Sequence, residues 1–220
     1  MDYFLNRVDA GRQLASALKF VGKNGIVLAI PRGGVVVGFE VAKALGIPLD
    51  VIIARKIGAP GNPELAIGAV AEDGTAILDD DLVWRLQVPK SFINEEAERQ
   101  RSEIRRRLFS YRGDVPYPDL ENRDVVVVDD GVATGSTLKA ALMSVRQKKP
   151  KSVIVAVPVG PPDTVAELKR FADRVVCLMT PEPFYAIGEF YDDFTQTEDE
   201  EVVRLLQMNR KNLQAKEGKQ

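Results

Sequence analysis

The sequence predicts an α/β fold built around a parallel sheet, and two observations indicate it. Apolar runs typical of strands alternate along the chain with patterns typical of helices. One run, Val125–Val128, is four β-branched residues in succession, as expected of a strand buried on both faces of a sheet. Because strands alternate with helices, we expect a parallel sheet whose helical crossovers are right-handed. The chain has 220 residues and is 45% hydrophobic, which suffices for one substantial core.

The first predicted element is an amphipathic helix over Leu5–Val21, which precedes the first strand. Six predicted strands follow, at Ile26–Ile30, Leu49–Ala54, Ala66–Ala71, Val125–Asp129, Ser152–Pro158 and Arg174–Leu178. Helical patterns separate several of these strands, at Val35–Leu45, Thr137–Arg146 and Asp163–Phe171. The order of elements is therefore that of an open, largely parallel sheet covered by helices.

A charged region interrupts the alternation over about residues 79–123, where we predict a helical insertion. Its helix, Ser91–Phe109, has an acidic first turn and an arginine-rich second half. The arginines are Arg99, Arg101, Arg105, Arg106 and Arg107. They fit a solvated helix face matched to the helix dipole, and they leave open a lid or subunit contact that reaches phosphate. We predict one domain over residues 1–208, ending in a helix over Asp199–Met208, and a frayed polar tail over 209–220.

Composition excludes several classes of function. The chain contains no histidine, which excludes serine–histidine and cysteine–histidine catalysis and the commonest zinc sites. The single cysteine, Cys177, excludes an intramolecular disulfide. The net charge of -2 gives no basic surplus for nucleic acid. No apolar run reaches the roughly 18 residues of a membrane span, and Met1–Phe4 does not begin like a signal peptide, so we expect a cytoplasmic protein.

The most informative segment is the strand that ends in Asp129 and Asp130, with the loop Gly131–Thr137 behind it. Ligands of open α/β sheets bind beyond the carboxyl ends of strands, where loop amides and a helix N-terminus attract anions. The loop contains two glycines, which allow close approach of the backbone, and three hydroxyl side chains. Two carboxylates beside an anion site suit a ligand with a phosphate and a vicinal diol, such as ribose 5-phosphate.

The whole segment Val125–Thr137 resembles the phosphoribosyl pyrophosphate motif of the type I phosphoribosyltransferases. This resemblance implies a Rossmann-like core with a parallel sheet, a flexible flap and a small hood. It places Asp129 and Asp130 against the ribose hydroxyls and their magnesium ion. It assigns the 5-phosphate to the loop residues Gly131, Val132, Ala133, Thr134, Gly135, Ser136 and Thr137.

Two other loops are similar to phosphate-facing loops of the same family. Arg32, Gly33 and Gly34 follow the first strand and resemble the pyrophosphate loop, which implies a cis peptide between Pro31 and Arg32. The segment Arg55–Gly74, here called the flap, resembles the flap of the adenine enzymes and implies that Arg55 and Lys56 neutralise pyrophosphate. We predict that residues 57–64 are mobile without ligand and close over the reacting sugar.

Three further residues are candidates for the acceptor site. Glu72 matches by spacing the flap glutamate of adenine phosphoribosyltransferases and is the candidate for proton transfer, with a role in a turn as the alternative. Ala133 occurs where those enzymes have alanine. In a predicted hood over about residues 180–197, Tyr185 resembles the stacking aromatic of the hypoxanthine-guanine enzymes and Asp192 their acid, which we also predict to bind magnesium. Hydrophobic packing of this segment on the sheet remains the alternative.

The resemblance implies a magnesium-dependent enzyme of nucleotide salvage. Its substrates would be phosphoribosyl pyrophosphate and a nitrogen heterocycle, with a purine-like base favoured, and pyrophosphate would leave. The alternative is a non-catalytic sensor of phosphoribosyl pyrophosphate on the same fold. No membrane or nucleic acid partner is expected, and a homodimer stays open.

Overall fold

The computed structural model of the chain describes residues 3–70, 72 and 74–217, with the backbone alone at 64, 216 and 217. In chain order the elements are α1 (Arg7–Ala17), β1 (Gly25–Ala29), α2 (Gly33–Leu45), β2 (Leu49–Val51), β3 (Arg55–Ala59), β4 (Asn62–Val70), β5 (Ala76–Leu78), α3 (Asp80–Arg85), α4 (Lys90–Arg112), β6 (Asp124–Val128), α5 (Ser136–Gln147), β7 (Ser152–Val159), α6 (Pro162–Leu168), β8 (Arg174–Met179), a 3₁₀ turn (Ile187–Phe190) and α7 (Asp199–Glu217). None of the described helices is long and apolar enough to cross a lipid bilayer.

Five of the strands form the central sheet in the order β2-β1-β6-β7-β8, and every neighbouring pair runs parallel. The predicted α/β fold with a parallel sheet is therefore confirmed. Val126 and Val128 of β6 pack on the side of α1, α2 and α7, whereas Val125 and Val127 pack on the side of α5 and α6. Because both faces are covered by helices, the strand is apolar at every one of these positions rather than at every second one.

The flap differs from its prediction. The segment predicted as a loop is an antiparallel hairpin of β3 and β4, which β5 extends to three strands. The mobility of residues 57–64 without ligand stays a prediction. Ile57 and Ile67 are fully buried, and Gly61 makes the turn with a φ of +74°. The predicted strand at Ala66–Ala71 falls, as far as Val70, in this hairpin rather than in the central sheet. Burial of alternate apolar residues explains why the segment is a hairpin.

The helical insertion contains α3 and a helix α4 that is longer than predicted at both ends. Ile93, Ala97 and Ile104 are buried at helical spacing, so α4 covers the hairpin with an apolar stripe. The opposite face carries ion pairs one turn apart, including Arg106 with Glu103. This helix packs against β3 and β4 of the flap and against α7.

The C-terminal helix also departs from its prediction. We expected helix to end near Met208 and a frayed tail to begin at Asn209, whereas α7 continues to Glu217. Asn209 is 2% exposed, and its Oδ1 accepts a hydrogen bond from the Leu49 amide at 2.9 Å. Its Nδ2 donates to the Ile47 carbonyl oxygen at 3.3 Å. Asn209 is thus part of the core, where its side chain satisfies two backbone groups at the start of the edge strand β2.

We expect Asn209→Ala to destabilise the protein by about 1–3 kcal/mol, because it leaves a buried amide and a buried carbonyl without their partner. The matched control is Asn212→Ala, an exposed asparagine on the same helix, which should change the free energy of unfolding by less than about 0.5 kcal/mol. Urea denaturation of both variants measures this. Equal effects of the two substitutions would contradict the structural role of Asn209.

Candidate active site

A cavity of about 800 Å³ opens where β1, β2 and β6 end. Its polar wall is strongly cationic. Six basic side chains line it, namely Arg7, Arg32, Arg55, Lys56, Arg99 and Arg107. Asp129 and Asp130 are its acidic lining residues. A concave surface with this excess of positive charge selects a polyanionic ligand, and the position at the carboxyl ends of the strands is the usual ligand site of open α/β sheets.

The loop Gly131–Thr137 forms a smaller hollow of about 180 Å³ beside Asp129. Gly135 has a φ of +73°, which turns the chain into the first residue of α5. The hydroxyls of Thr134 and Ser136 lie 3.1 Å apart. The Thr164 hydroxyl donates to the Ala133 carbonyl oxygen at 2.7 Å and fixes the loop from outside. The hollow therefore joins hydroxyl donors with a helix N-terminus, which is the arrangement that binds phosphate.

The two carboxylates beside this loop have different surroundings. Asp129 Oδ1 accepts the backbone N–H of Asp130 at 2.8 Å. Asp130 Oδ2 accepts from Arg7 Nε at 2.7 Å. Burial away from water raises the pKa of Asp129 well above its usual range, and the negative charge of Asp130 is the second cause of this shift. A cation beside the pair would relieve this repulsion.

The N-terminus of α2 approaches this pair closely, and only glycine permits the approach. A Cβ atom at Gly33 would overlap Asp130 Oδ2 and lie 2.5 Å from Arg7 Nε. A Cβ atom at Gly34 would lie 2.9 Å from the Cα atom of Asp129. The predicted loop of Arg32, Gly33 and Gly34 is thus brought against the predicted carboxylates, and the peptide between Pro31 and Arg32 is cis, as predicted.

Arg32 lies at the rim of the cavity with its side chain 34% exposed. Its Nη1 is 3.7 Å from both Glu198 Oε2 and Asp199 Oδ1. These are long contacts with exposed carboxylates, and such contacts stabilise little. Arg32 can therefore exchange them for a phosphate group of a bound ligand.

The base of the flap contributes Arg55 and Lys56 to the same cavity. Arg55 Nε donates to Gln100 Oε1 at 2.9 Å, and Gln100 Nε2 donates to Glu96 Oε1 at 2.6 Å. Gln100 is 6% exposed, so this buried amide on α4 fixes the direction of Arg55. Gln100 is a residue that sequence reasoning missed, because a glutamine in a charged helix gives no local signal.

The five arginines of α4 that the sequence singles out differ in what they contact. Arg99 and Arg107 line the cavity, and each is paired with a glutamate of its own helix, Glu96 at 2.7 Å and Glu103 at 2.6 Å. Arg101, Arg105 and Arg106 do not line it and pair with Glu98 or Glu103. The solvated-face interpretation therefore fits Arg105 and Arg106, and the phosphate-reaching interpretation fits Arg99 and Arg107. Arg101 fits neither fully, because it is half-buried and its Nε donates to the Gly74 carbonyl oxygen at 2.6 Å.

Three predicted site residues are not brought to the cavity. Tyr185 is 78% exposed, and Asp192 is exposed, with its backbone N–H donating to the Phe4 carbonyl oxygen at 2.9 Å. Glu72 is held away from the cavity by Arg112. None of the three lines the cavity.

The hood packs through other aromatic rings instead. Phe184 stacks on Phe190 with centroids 5.4 Å apart, and Tyr191 lies 4.9 Å from Phe194. Its contribution to the cavity is the apolar side chains of Ile187 and Phe194. The hydrophobic-packing alternative thus describes most of this segment, and Tyr185 points outward because its neighbours take the inner positions.

Glu72 belongs to a buried charge network. Arg112 donates to Glu72 Oε1, to Asp50 Oδ1 at 3.1 Å and to the Val51 carbonyl oxygen at 3.1 Å. One guanidinium thus faces two carboxylates, and among the described residues Glu72 Oε2 has no hydrogen-bond partner. Burial raises the pKa of Glu72 to about 7, and Arg112 offsets part of this shift.

This raised pKa predicts a pH dependence of stability. The folded protein holds the Glu72 proton more tightly than the unfolded chain. The stabilisation from this proton is therefore fully present below about pH 4.5 and is lost as the pH rises through about 7. Relative to Glu72→Gln, the free energy of unfolding of the wild-type protein should fall by about 2–3 kcal/mol between about pH 4.5 and about pH 8. Chemical denaturation of both proteins across this range measures the difference, and a constant difference would contradict the raised pKa.

Other site residues also escaped the sequence analysis. Arg7 pairs with Asp130, Phe194 and Ile187 line the cavity, and Arg112 holds Glu72. Arg7 precedes Asp130 by 123 residues, so no local spacing connects them. The sequence predicts site residues only where they are neighbours within one motif.

Comparison with known proteins adds independent findings. A model of the phosphoribosyl transferase domain matches residues 5–195. A protein of Mycobacterium tuberculosis strain H37Rv, provisionally named a phosphoribosyl transferase, is 47% identical over 207 residues, which are 94% of this chain and 47% of that protein. Its counterpart in strain CDC 1551 matches to the same extent. The chain thus spans about half the length of these relatives. A crystal structure from Thermus thermophilus is 47% identical, covers 94% of this chain and 98% of its own, and has a TM-score of 0.87.

Proposed function

Because the chain belongs to the phosphoribosyl transferase family, we propose that it transfers the 5-phosphoribosyl group of phosphoribosyl pyrophosphate to a nitrogen heterocycle and releases pyrophosphate. One observation carries the proposal. The cavity has a phosphate-binding hollow beside Asp129, and Arg32, Arg55 and Lys56 also line it. Separate anion sites around a pair of carboxylates match a sugar that carries a phosphate and a pyrophosphate at opposite ends.

Each part of the substrate then has a place. The loop Gly131–Thr137 would hold the 5-phosphate, and Asp129 and Asp130 would accept hydrogen bonds from the ribose hydroxyls. Arg32, Arg55 and Lys56 would face the pyrophosphate. Binding at the two anionic ends orients the anomeric carbon between them, so that remote binding energy serves the reacting centre.

The donor set suits magnesium. Asp129 and Asp130 offer hard oxygen ligands. Burial, and after it the charge of Asp130, raise the pKa of Asp129, and a bound cation would favour its ionised form. In the described part of the chain no three histidine, cysteine or acidic residues converge on a metal site, so water and substrate oxygens would complete the coordination. When bound, the ion supplies positive charge that stabilises the leaving pyrophosphate.

The chemical step breaks the bond between the anomeric carbon and the pyrophosphate oxygen, which leaves with the electron pair. Cationic side chains at the pyrophosphate end stabilise the charge that develops on this oxygen. The lone pair of a ring nitrogen of the acceptor then forms the new bond to carbon, and the proton of that nitrogen passes to water or to the departing pyrophosphate. The resemblance of the flap to that of the adenine enzymes implies a purine-like acceptor, and Ile187 and Phe194 give the cavity an apolar wall. Glu72 stays a predicted proton-transfer group that the described geometry does not connect to the cavity.

A turnover assay with phosphoribosyl pyrophosphate, magnesium and a panel of purine and pyrimidine bases tests this function. We expect pyrophosphate release that requires both magnesium and one class of base. The control is Arg105→Gln, which changes an exposed arginine of α4 outside the cavity and should retain full turnover.

The alternative sensor function gives a different result. A sensor would bind phosphoribosyl pyrophosphate but release no pyrophosphate with any base of the panel. One observation favours this alternative: neither Glu72 nor Tyr185, the predicted residues of the acceptor site, lines the cavity. A protein that neither binds nor turns over phosphoribosyl pyrophosphate would contradict both functions.

A further inference from the structure

Arg7 contacts three separate parts of the candidate site with one guanidinium. Its Nε donates to Asp130 Oδ2 at 2.7 Å, and its Nη1 donates to the Thr195 carbonyl oxygen at 2.7 Å. Its central carbon lies 3.8 Å from the ring centroid of Phe194. The side chains of Arg7 and Asp130 are 11% and 13% exposed, so solvent screens their attraction only weakly. A residue of α1 therefore joins the end of β6 to the hood.

The backbone before α1 is fixed to the hood as well. The Phe4 amide donates to the Phe190 carbonyl oxygen at 2.9 Å, and the Asp193 amide donates to the Leu5 carbonyl oxygen at 3.0 Å. From the hood, the Tyr191 hydroxyl donates to the backbone carbonyl oxygen of Asp130 at 2.5 Å. Asp130 is thus held at its backbone by the hood and at its carboxylate by Arg7.

The carboxylates of Asp129 and Asp130 have different partners. Arg7 neutralises Asp130, whereas Asp129 Oδ1 accepts only the neighbouring backbone N–H among the described hydrogen bonds. The close approach of Gly33 leaves the Arg7–Asp130 pair directly beside the loop of Arg32. Arg7 fixes one oxygen of Asp130 and thereby determines the direction of the other.

We propose, on the basis of the proposed function, that Arg7 is a positioning residue that orients the Asp130 carboxylate toward the ribose hydroxyls and couples this orientation to the hood. The planar guanidinium can donate to Asp130 and Thr195 at once while its face covers Phe194. A lysine ammonium keeps the charge but cannot hold all three contacts in this geometry. Although Arg7 also lines the cavity, it acts through Asp130 rather than by a contact of its own with the substrate.

The first test compares Arg7→Gln and Arg7→Lys with Arg12→Gln. Arg12 lies on the same helix, pairs with Glu40 at 3.2 Å and is 67% exposed. Calorimetric titration with phosphoribosyl pyrophosphate in magnesium should show a Kd raised at least about tenfold in Arg7→Gln, a smaller rise in Arg7→Lys and no change in Arg12→Gln. Titration with inorganic phosphate, which probes the loop Gly131–Thr137, should give the wild-type Kd in all three.

A double-mutant cycle with Asp130→Asn separates positioning from general structural damage. If Arg7 acts through Asp130, adding Arg7→Gln to Asp130→Asn should weaken phosphoribosyl pyrophosphate binding by less than about twofold more. Additive losses, or a wild-type Kd in Arg7→Gln, would overturn the proposal. If Arg7→Gln does not fold, Arg7→Lys takes its place in the same cycle. Failure of the wild-type protein to bind phosphoribosyl pyrophosphate would instead refute the proposed function.

Discussion

Asp130→Asn is expected to lower turnover with phosphoribosyl pyrophosphate by about 10²–10³-fold, which corresponds to about 3–4 kcal/mol. The substitution removes the charge that accepts from Arg7 and, in our proposal, from the ribose hydroxyls. It also leaves the Arg7 guanidinium, 11% exposed, without its carboxylate. The loss should appear in the Kd for phosphoribosyl pyrophosphate as well as in kcat, because the same carboxylate serves the ground state and the transition state.

The measurement is steady-state turnover together with calorimetric binding. Asp163→Asn is the matched control, since Asp163 is an exposed carboxylate in the first turn of α6 and lies outside the cavity. It should leave both quantities unchanged. Wild-type turnover in Asp130→Asn would remove this carboxylate from the mechanism.

Arg112→Met is expected to destabilise the protein by about 3–5 kcal/mol near neutral pH. Arg112 is 7% exposed, and its loss leaves the buried carboxylates of Asp50 and Glu72 without their shared cation. The penalty should shrink as the pH falls, because Glu72, whose pKa burial already raises to about 7, then takes up a proton and no longer requires the cation. Methionine fills much of the volume of the arginine stem, so the effect reports charge more than a cavity.

The control is Arg106→Met on the same helix. Arg106 is exposed and, among the described residues, forms its ion pair with Glu103 of its own helix, so its replacement should lower the free energy of unfolding by at most about 1 kcal/mol. Guanidinium chloride would screen these charges, and urea denaturation at several pH values is therefore the suitable measurement. A pH-independent loss in Arg112→Met would indicate lost packing rather than unpaired charge.

The strands of the central sheet and the motif Val125–Thr137 were predictable because their signals are local. Four consecutive β-branched residues predict a strand buried on both faces, and the residues that line the smaller hollow follow it directly. The Arg32 loop was predictable for the same reason. In each case the residues that act together are neighbours in sequence.

The missed features depend on partners far away in the chain. Arg7 meets Asp130, and Glu72 meets Arg112, across 123 and 40 residues. Asn209 resembles the start of a polar tail in sequence because its partner at Leu49 lies 160 residues earlier. The glycines and prolines of the flap predict a loop, although Ile57 is buried in a hairpin. At each of these residues, the structural role depends on tertiary contacts that the local sequence does not indicate.

A crystal structure of the protein with phosphoribosyl pyrophosphate and magnesium tests the proposed site most directly. We expect the 5-phosphate within hydrogen-bond distance of the Thr134–Thr137 amides, the ribose hydroxyls against Asp129 and Asp130, and the pyrophosphate against Arg32. A ligand whose 5-phosphate lies on the arginines of α4, with the loop Gly131–Thr137 empty, would contradict the assignment of the site.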